Sequence, residues 1–333
     1  MGYRPAFPQR LRRLLYTMVA RFFPEPPRFV RALTRWGGLI VGEAALSLIL
    51  NSSSLPTGVT LELAVGNLIF DKFLEHVTRL IPFGSHVITC TDKPSPPSFP
   101  TLRHITRIAE FYLTTGHIIH VYESSSPSAC DVVCGAWTTA LMNFVTASSI
   151  GCAYPRLTLN FHGLLCDGRT NAKRWLDNGT YDRMRKIGFR FTVYGPTWPS
   201  FIPSPYSVSL PSSVGCGKSF HVCPFQGRYF GDSGSLVVFF DGFFVDLGEL
   251  RDLSIAPYGV MTAWRIPTNG TCQGRCIEDR SVVPAFVISM IIQFFEDRIT
   301  YVPFKKYAWS PTSTTNHLSS IPSSDRRTRR VSL

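Results

Sequence analysis

The sequence predicts an α/β or α+β fold: a single domain with a mixed β-sheet, packed helices and a C-terminal β-hairpin. Three observations point there. The chain is 44% hydrophobic and 13% aromatic but only 17% charged, enough apolar material for a sizeable core and too little charge for a disordered chain or coiled coil. Stretches with apolar residues at helical spacing alternate with short runs of period two. Finally, Asp241-Gly242 sits between the apolar runs 236–240 and 243–247, and Asp-Gly supplies the positive φ angles of a tight hairpin turn. No period of twenty to fifty residues recurs, which excludes a solenoid or propeller.

Taken in order, the elements follow from spacing. Phe70, Phe73, Leu74, Val77 and Ile81 form one helical face, ended by Pro82. Residues 86–90 read as a strand, and four prolines in 94–100 mark a connection. Leu102, Ile105, Ile108, Ala109 and Tyr112 then suggest a second helix stopped by Gly116, followed by a β-branched strand at 117–123. That βαβ order favours a partly parallel sheet. Further on, 137–148 reads as helix, 157–161 as strand, 180–188 as a short helix and 189–193 as strand. Five prolines in 196–211 mark a long connection. After the hairpin come a strand at 260–266 and a nearly all-apolar helix at 284–297.

The charge sits at the ends. Of a net +12, residues 1–42 contribute eight arginines against Glu25 alone, and 317–333 four arginines against Asp325. The expected organisation is therefore a basic leader at 1–42, disordered or targeting, a globular domain at 62–305, and a disordered basic tail at 306–333. With so little charge left on the body, nucleic-acid binding by it is not supported. Nor is a membrane role, because the long uncharged stretch 132–155 is rich in Ser and Thr. Nine cysteines in a chain this long are no disulfide framework. The expected location is cytoplasmic or nuclear, with mitochondrial as the alternative suggested by the Arg-rich amphipathic start.

Candidate sites come next. Gly231-Asp232-Ser233-Gly234 precedes the hairpin and resembles the nucleophile loop of trypsin-like serine proteases over 231–249. The resemblance implies Ser233 as nucleophile, with the backbone N–H groups of Gly231 and Ser233 facing an oxyanion. No upstream histidine has the matching context, and a serine without a base is not nucleophilic; the same string also reads as a turn held by its own polar side chains. Cys216, His221, Cys223, Cys272 and Cys276 flank the hairpin and the strand 260–266 at spacings compatible with structural zinc. Gly84-Ser85 lacks the spaced carboxylates that nucleotidyl transfer needs. Arg329-Arg330-Val331-Ser332 resembles a site for basophilic kinases, which makes Ser332 a phosphorylation candidate. Over most of the body, runs such as Arg107-Ile108-Ala109-Glu110-Phe111 and Arg228-Tyr229-Phe230-Gly231-Asp232 resemble proteins of mushroom-forming fungi, a likeness that implies no activity. The functional expectation is a non-catalytic intracellular protein acting through interaction or structure, with protein partners. The alternative is a serine hydrolase using Ser233.

Overall fold

Strand residues alternate between the two faces of a sheet, and that alternation organises the molecule. The computed structural model describes residues 6–50, 60–92, 104–166, 179–192, 221–222, 228–232, 234–240, 260–264, 287–295 and 298–303. The strands in the first half are β1 (Leu39–Val41), β2 (Leu61–Val65), β3 (His86–Asp92), β4 (Ile105–Tyr112), β5 (Ile118–Ser124), β6 (Asn143–Val145) and β7 (Ser149–Cys152). They are followed by β8 (His162–Leu164), β9 (Arg190–Thr192), β10 (Arg228–Tyr229), β11 (Leu236–Phe239), β12 (Val260–Trp264), β13 (Val287–Phe295) and β14 (Arg298–Pro303). Eight of them form one sheet in the order β11-β7-β6-β1-β2-β5-β4-β3, while β10-β12-β13-β14 and β8-β9 form smaller sheets. The large sheet is mixed: β2 and β5 run parallel, with Leu61 opposite Ile119, and its other pairings are antiparallel.

One face of this sheet is closed by helices α1 (Ala6–Val19), α2 (Pro26–Trp36) and α4 (Phe70–Thr78), with α3 (Gly42–Ile49) leading out of β1. Leu61, Leu63 and Val65 of β2, Ile119 and Val121 of β5, and Ala109 and Phe111 of β4 share one core with Leu11, Leu15, Val19, Phe29, Leu33, Phe73 and Val77 from those helices. Each fully buried Leu or Phe side chain contributes roughly 1.5–3 kcal/mol relative to exposure. Arg107 of β4 fastens α4 to the sheet: its guanidinium reaches both carboxylate oxygens of Glu123 at 2.8 Å and those of Asp71 at 2.8 and 3.2 Å, and lies 4.5 Å from the Phe70 ring.

The expectation of a disordered basic leader is thereby corrected. From Ala6 onward the segment is helical, and Leu11, Leu15, Met18, Val19, Phe22 and Phe23 are buried in the main core. The apolar stripe that makes this start amphipathic is covered by the body of the protein. Pro26 and Pro27 open α2, where their missing N–H groups have no intrahelical partner to lose. Gly37, left-handed at φ 56°, closes it, with N–H groups of the turn returning to the Leu33 and Thr34 carbonyls.

Several local expectations change in the same way. Residues 105–112 form a strand, not a helix, and a register shift between Ile105 and Arg107 explains the apparent helical spacing. Beyond the shift, Arg107, Ala109 and Phe111 turn to the helical layer in strict alternation. The expected βαβ crossover is therefore an antiparallel run β3-β4-β5, and the parallel pair is β2 with β5. The stretch 137–148 becomes a 3-10 turn at Thr139–Leu141 followed by β6. The strand expected at 157–161 is replaced by the short helix α6 (Pro155–Thr158), opened by Pro155, with the five-residue helix α5 (Cys130–Cys134) before it in the chain and β8 after it. Residues 287–295 are a strand paired with β12, as suits a run so rich in Val and Ile. The helix at 70–78, the strands at 86–92, 118–124, 190–192 and 260–264, and the helix α7 (Thr180–Lys186) lie where spacing puts them. Of the expected hairpin, β11 pairs with β7; its second half, 241–247, lies outside the described residues, as does the tail beyond 303. Among the described residues no helix is long and apolar enough to cross a membrane.

Candidate functional site

The second face of the sheet carries two polar constellations. The first is built around the Gly-Asp-Ser-Gly string. Gly231 has φ 115°, a conformation that suits glycine, and the Asp232 N–H donates to Tyr229 O at 3.2 Å to close a turn between β10 and β11. Arg228 from β10 is 1% exposed. Its Nε and Nη2 donate to the two carboxylate oxygens of Asp232, its Nη1 to His221 O at 2.7 Å, and its Nη2 also to Ala153 O at 2.8 Å. The guanidinium lies 4.6 Å from the Tyr154 ring and 5.8 Å from that of Trp264, whose Nε1 donates to Tyr154 Oη at 3.1 Å. Asp232 in turn accepts from the Gly234 N–H at 3.0 Å and from Ser235 Oγ at 3.0 Å. Burial alone would raise the Asp232 carboxyl; the Arg228 bonds outweigh it and hold the group below its usual range.

Asp232 is committed to Arg228 and to its own loop, where it braces the turn; the acid of a serine triad is a separate residue that orients an imidazole. Ser233 itself lies outside the described residues. Its neighbour Gly234 lies against His221, so closely that a Cβ there would fall 2.2 Å from the imidazole Cγ. His221 is thus the histidine beside this loop, only twelve positions before Ser233, where no triad spacing pointed. Burial first, then the nearby Arg228, push its imidazole below the ordinary value, with Asp232 opposing them. Cys216, Cys223, Cys272 and Cys276 lie outside the described residues, as does Ser332. Among the described residues, no three or more His, Cys, Asp or Glu side chains are grouped to hold a metal ion.

The second constellation crosses the middle of the sheet, and sequence reading missed it. Glu62 on β2 is opposite His120 on β5, which is opposite Glu110 on β4. Tyr122 Oη donates to Glu62 Oε1 at 2.8 Å and is 3.3 Å from His120 Nδ1; His120 Nε2 is 3.6 Å from Glu110 Oε1. At the inner end Gly42, with φ 66°, admits the Glu62 carboxylate: a Cβ there would lie 1.5 Å from Oε2. Beside it, Glu43 is clamped by Arg183 through Nε at 3.0 Å and Nη2 at 2.6 Å, and by Thr180 Oγ1 at 3.3 Å. The row runs from the half-exposed Glu110, 38% open, inward to Glu43 at 11%. Burial raises the Glu62 carboxyl to about 7, with the Tyr122 bond opposing and Glu43 reinforcing the shift. Burial also lowers His120 while Glu110 pulls it back up. Glu62 can therefore hold or release a proton near neutrality. The available signal was the lone acid in Leu61-Glu62-Leu63-Ala64-Val65, a charge inside an otherwise apolar strand.

No protein-family model and no curated protein matches the chain. A solved structure of a CCA-adding enzyme in an apo form is similar over 53% of this chain and 42% of that one, at 14% identity and a TM-score of 0.34. The match thus spans less than half of that enzyme's length, and at that score it bears on neither fold nor function.

Proposed function

We propose that this is a non-catalytic intracellular protein whose folded body serves interaction or structure. The observation that carries the reading is the Arg228–Asp232 clasp: the polar groups of the one loop with a protease-like pattern tie β10 to β11. In the Glu62 row, Glu43 is likewise held by Arg183, so among the described residues the carboxylate beside Glu62 is already committed and not open to paired acid–base work. The intracellular part is supported by Cys130, Cys134 and Cys152, buried free thiols among the described residues. A broad phosphonate probe of serine hydrolases tests the reading. The purified protein should remain unlabelled; stoichiometric labelling lost in Ser233→Ala would overturn it. That outcome would establish the second reading, a hydrolase using Ser233, which the seating of His221 against Gly234 favours.

A further inference from the structure

The arginines of the N-terminal segment are part of a folded surface. On α1 the apolar residues Leu11, Leu15, Met18 and Val19 are buried, while Arg10, Arg12 and Arg13 are exposed. On α2 Phe29, Val30 and Leu33 are buried, while Arg28, Arg31 and Arg35 are exposed. The last three stand at i, i+3 and i+7, a stripe on one helix face that runs about 10 Å along the axis. Up to residue 42 one acid, Glu25, opposes them, and it is paired with Arg28 at 2.8 Å.

Solubility alone does not explain this composition. A solvated face ordinarily mixes both signs, as neighbouring α4 does, where Glu75 pairs with Arg79 and Asp71 with Arg107. On α1, Arg10 and Arg13 are like charges three apart without a compensating acid, an arrangement that weakens the helix. The type of cation matters as well: residues 1–42 contain eight arginines and no lysine. Either residue would keep a surface soluble, but only the guanidinium offers a planar fork that matches phosphate oxygens in pairs.

Two aromatic rings lie among these charges. Arg12 is placed 5.9 Å from the centre of the Tyr16 ring and Arg35 5.1 Å from that of Trp36, and both rings are partly exposed. Guanidinium groups interleaved with rings suit a flexible chain of phosphates whose bases can stack. An anionic membrane fits less well. Surface helices bind lipid by inserting an apolar face, and here those faces are occupied by the protein's own core.

We infer that the exposed face of α1 and α2 binds single-stranded nucleic acid through its phosphate backbone. The inference rests on the interaction reading above and names the partner class for this surface. The test uses the full chain, so that the tail arginines are common to every sample. Fluorescence anisotropy with U30 and dT30 oligonucleotides compares the wild-type protein with Arg28→Ala/Arg31→Ala/Arg35→Ala. Losing three phosphate contacts should weaken binding at least tenfold and make the slope of log affinity against log salt shallower by about 2. Circular dichroism and melting temperature should stay unchanged, since the three side chains are exposed. A wild-type protein that binds neither oligonucleotide at low salt would overturn the inference. So would a triple variant that binds equally well, competition by polyglutamate as effective as by unlabelled oligonucleotide, or tighter binding to phosphatidylserine vesicles. Each of those results would leave the non-catalytic reading standing, because that reading falls only to Ser233-dependent labelling.

Discussion

On β2, Leu61, Leu63 and Val65 turn towards the helices, while Glu62 turns to the opposite side and meets Tyr122. The same division holds on β5, where Ile119 and Val121 enter the helical core and His120 and Tyr122 line the polar row. The helical face is held mainly by burial, which has no direction and tolerates apolar swaps of similar volume, with the Arg107 bonds to Glu123 and Asp71 as its directional tie. The other face also has apolar residues, among them Phe144, Phe230 and Trp264. It also holds charged groups, however: Glu62, partly buried in the middle of the sheet, and Arg228 beside the β7–β11 edge, among the largest fully buried side chains. Hydrogen bonds to such groups are directional, and a single missing partner leaves a costly orphan. One sheet thus combines a side that accepts repacking with a side that does not.

The largest expected effect lies on the second side. Arg228→Met keeps bulk but strips Asp232 of its cation, and breaking a buried pair costs roughly 3–5 kcal/mol. Urea unfolding should show that loss, and Arg228→Met/Asp232→Asn should recover part of it. A loss below about 1 kcal/mol would erase the contrast between the faces. On the helical side, Leu15→Ala leaves a cavity and should cost about 2–5 kcal/mol, with Leu15→Met nearly neutral. A dispensable leader would show no change at all, so the same unfolding curve checks that α1 belongs to the body.

The smallest effect carries a sign. Burial holds the Glu62 carboxyl at about 7 in the folded chain against an ordinary value of 4.5, so between those pH values the folded state binds more protons than the unfolded one. The contribution is favourable at or below pH 4.5 and is lost as pH rises through 7. Glu62→Gln removes the ionisation and should stabilise the protein at pH 8 relative to wild type, with little difference near pH 4.5. A melting-temperature difference that is the same at both pH values would show that Glu62 does not hold its proton near neutrality.

Legibility from sequence follows the same division. Elements whose one side is plainly apolar, such as α4 and β5, could be read from spacing. Segment 105–112 could not, because the register shift at Ile105 broke its alternation and imitated a helix. Residues 6–36 misled for a different reason: arginines facing solvent dominated the composition, although the buried positions between them kept helical spacing. Of the polar groups, the Gly-Asp-Ser-Gly string was visible as a local pattern, but its partner Arg228 and the adjacent His221 were not singled out for it. The Glu62 row joins residues 43, 62, 110, 120, 122 and 183. No local pattern contains it, since pairing between distant strands assembles it.

The position of β1 has a consequence for how the chain is made. Of the described strands it comes first in the chain, yet it lies fourth of eight in the sheet, between β2 and β6. Ile40 pairs with Val145, and at typical synthesis speeds the chain between them takes roughly 5–20 s to appear. During that interval β1 can acquire β2 as a neighbour while its other edge stays open. An open edge is a template for any strand that arrives, including one from a neighbouring copy on the same messenger. The order of synthesis therefore makes the centre of this sheet, and not its finished rim, the point most exposed to pairing with the wrong chain.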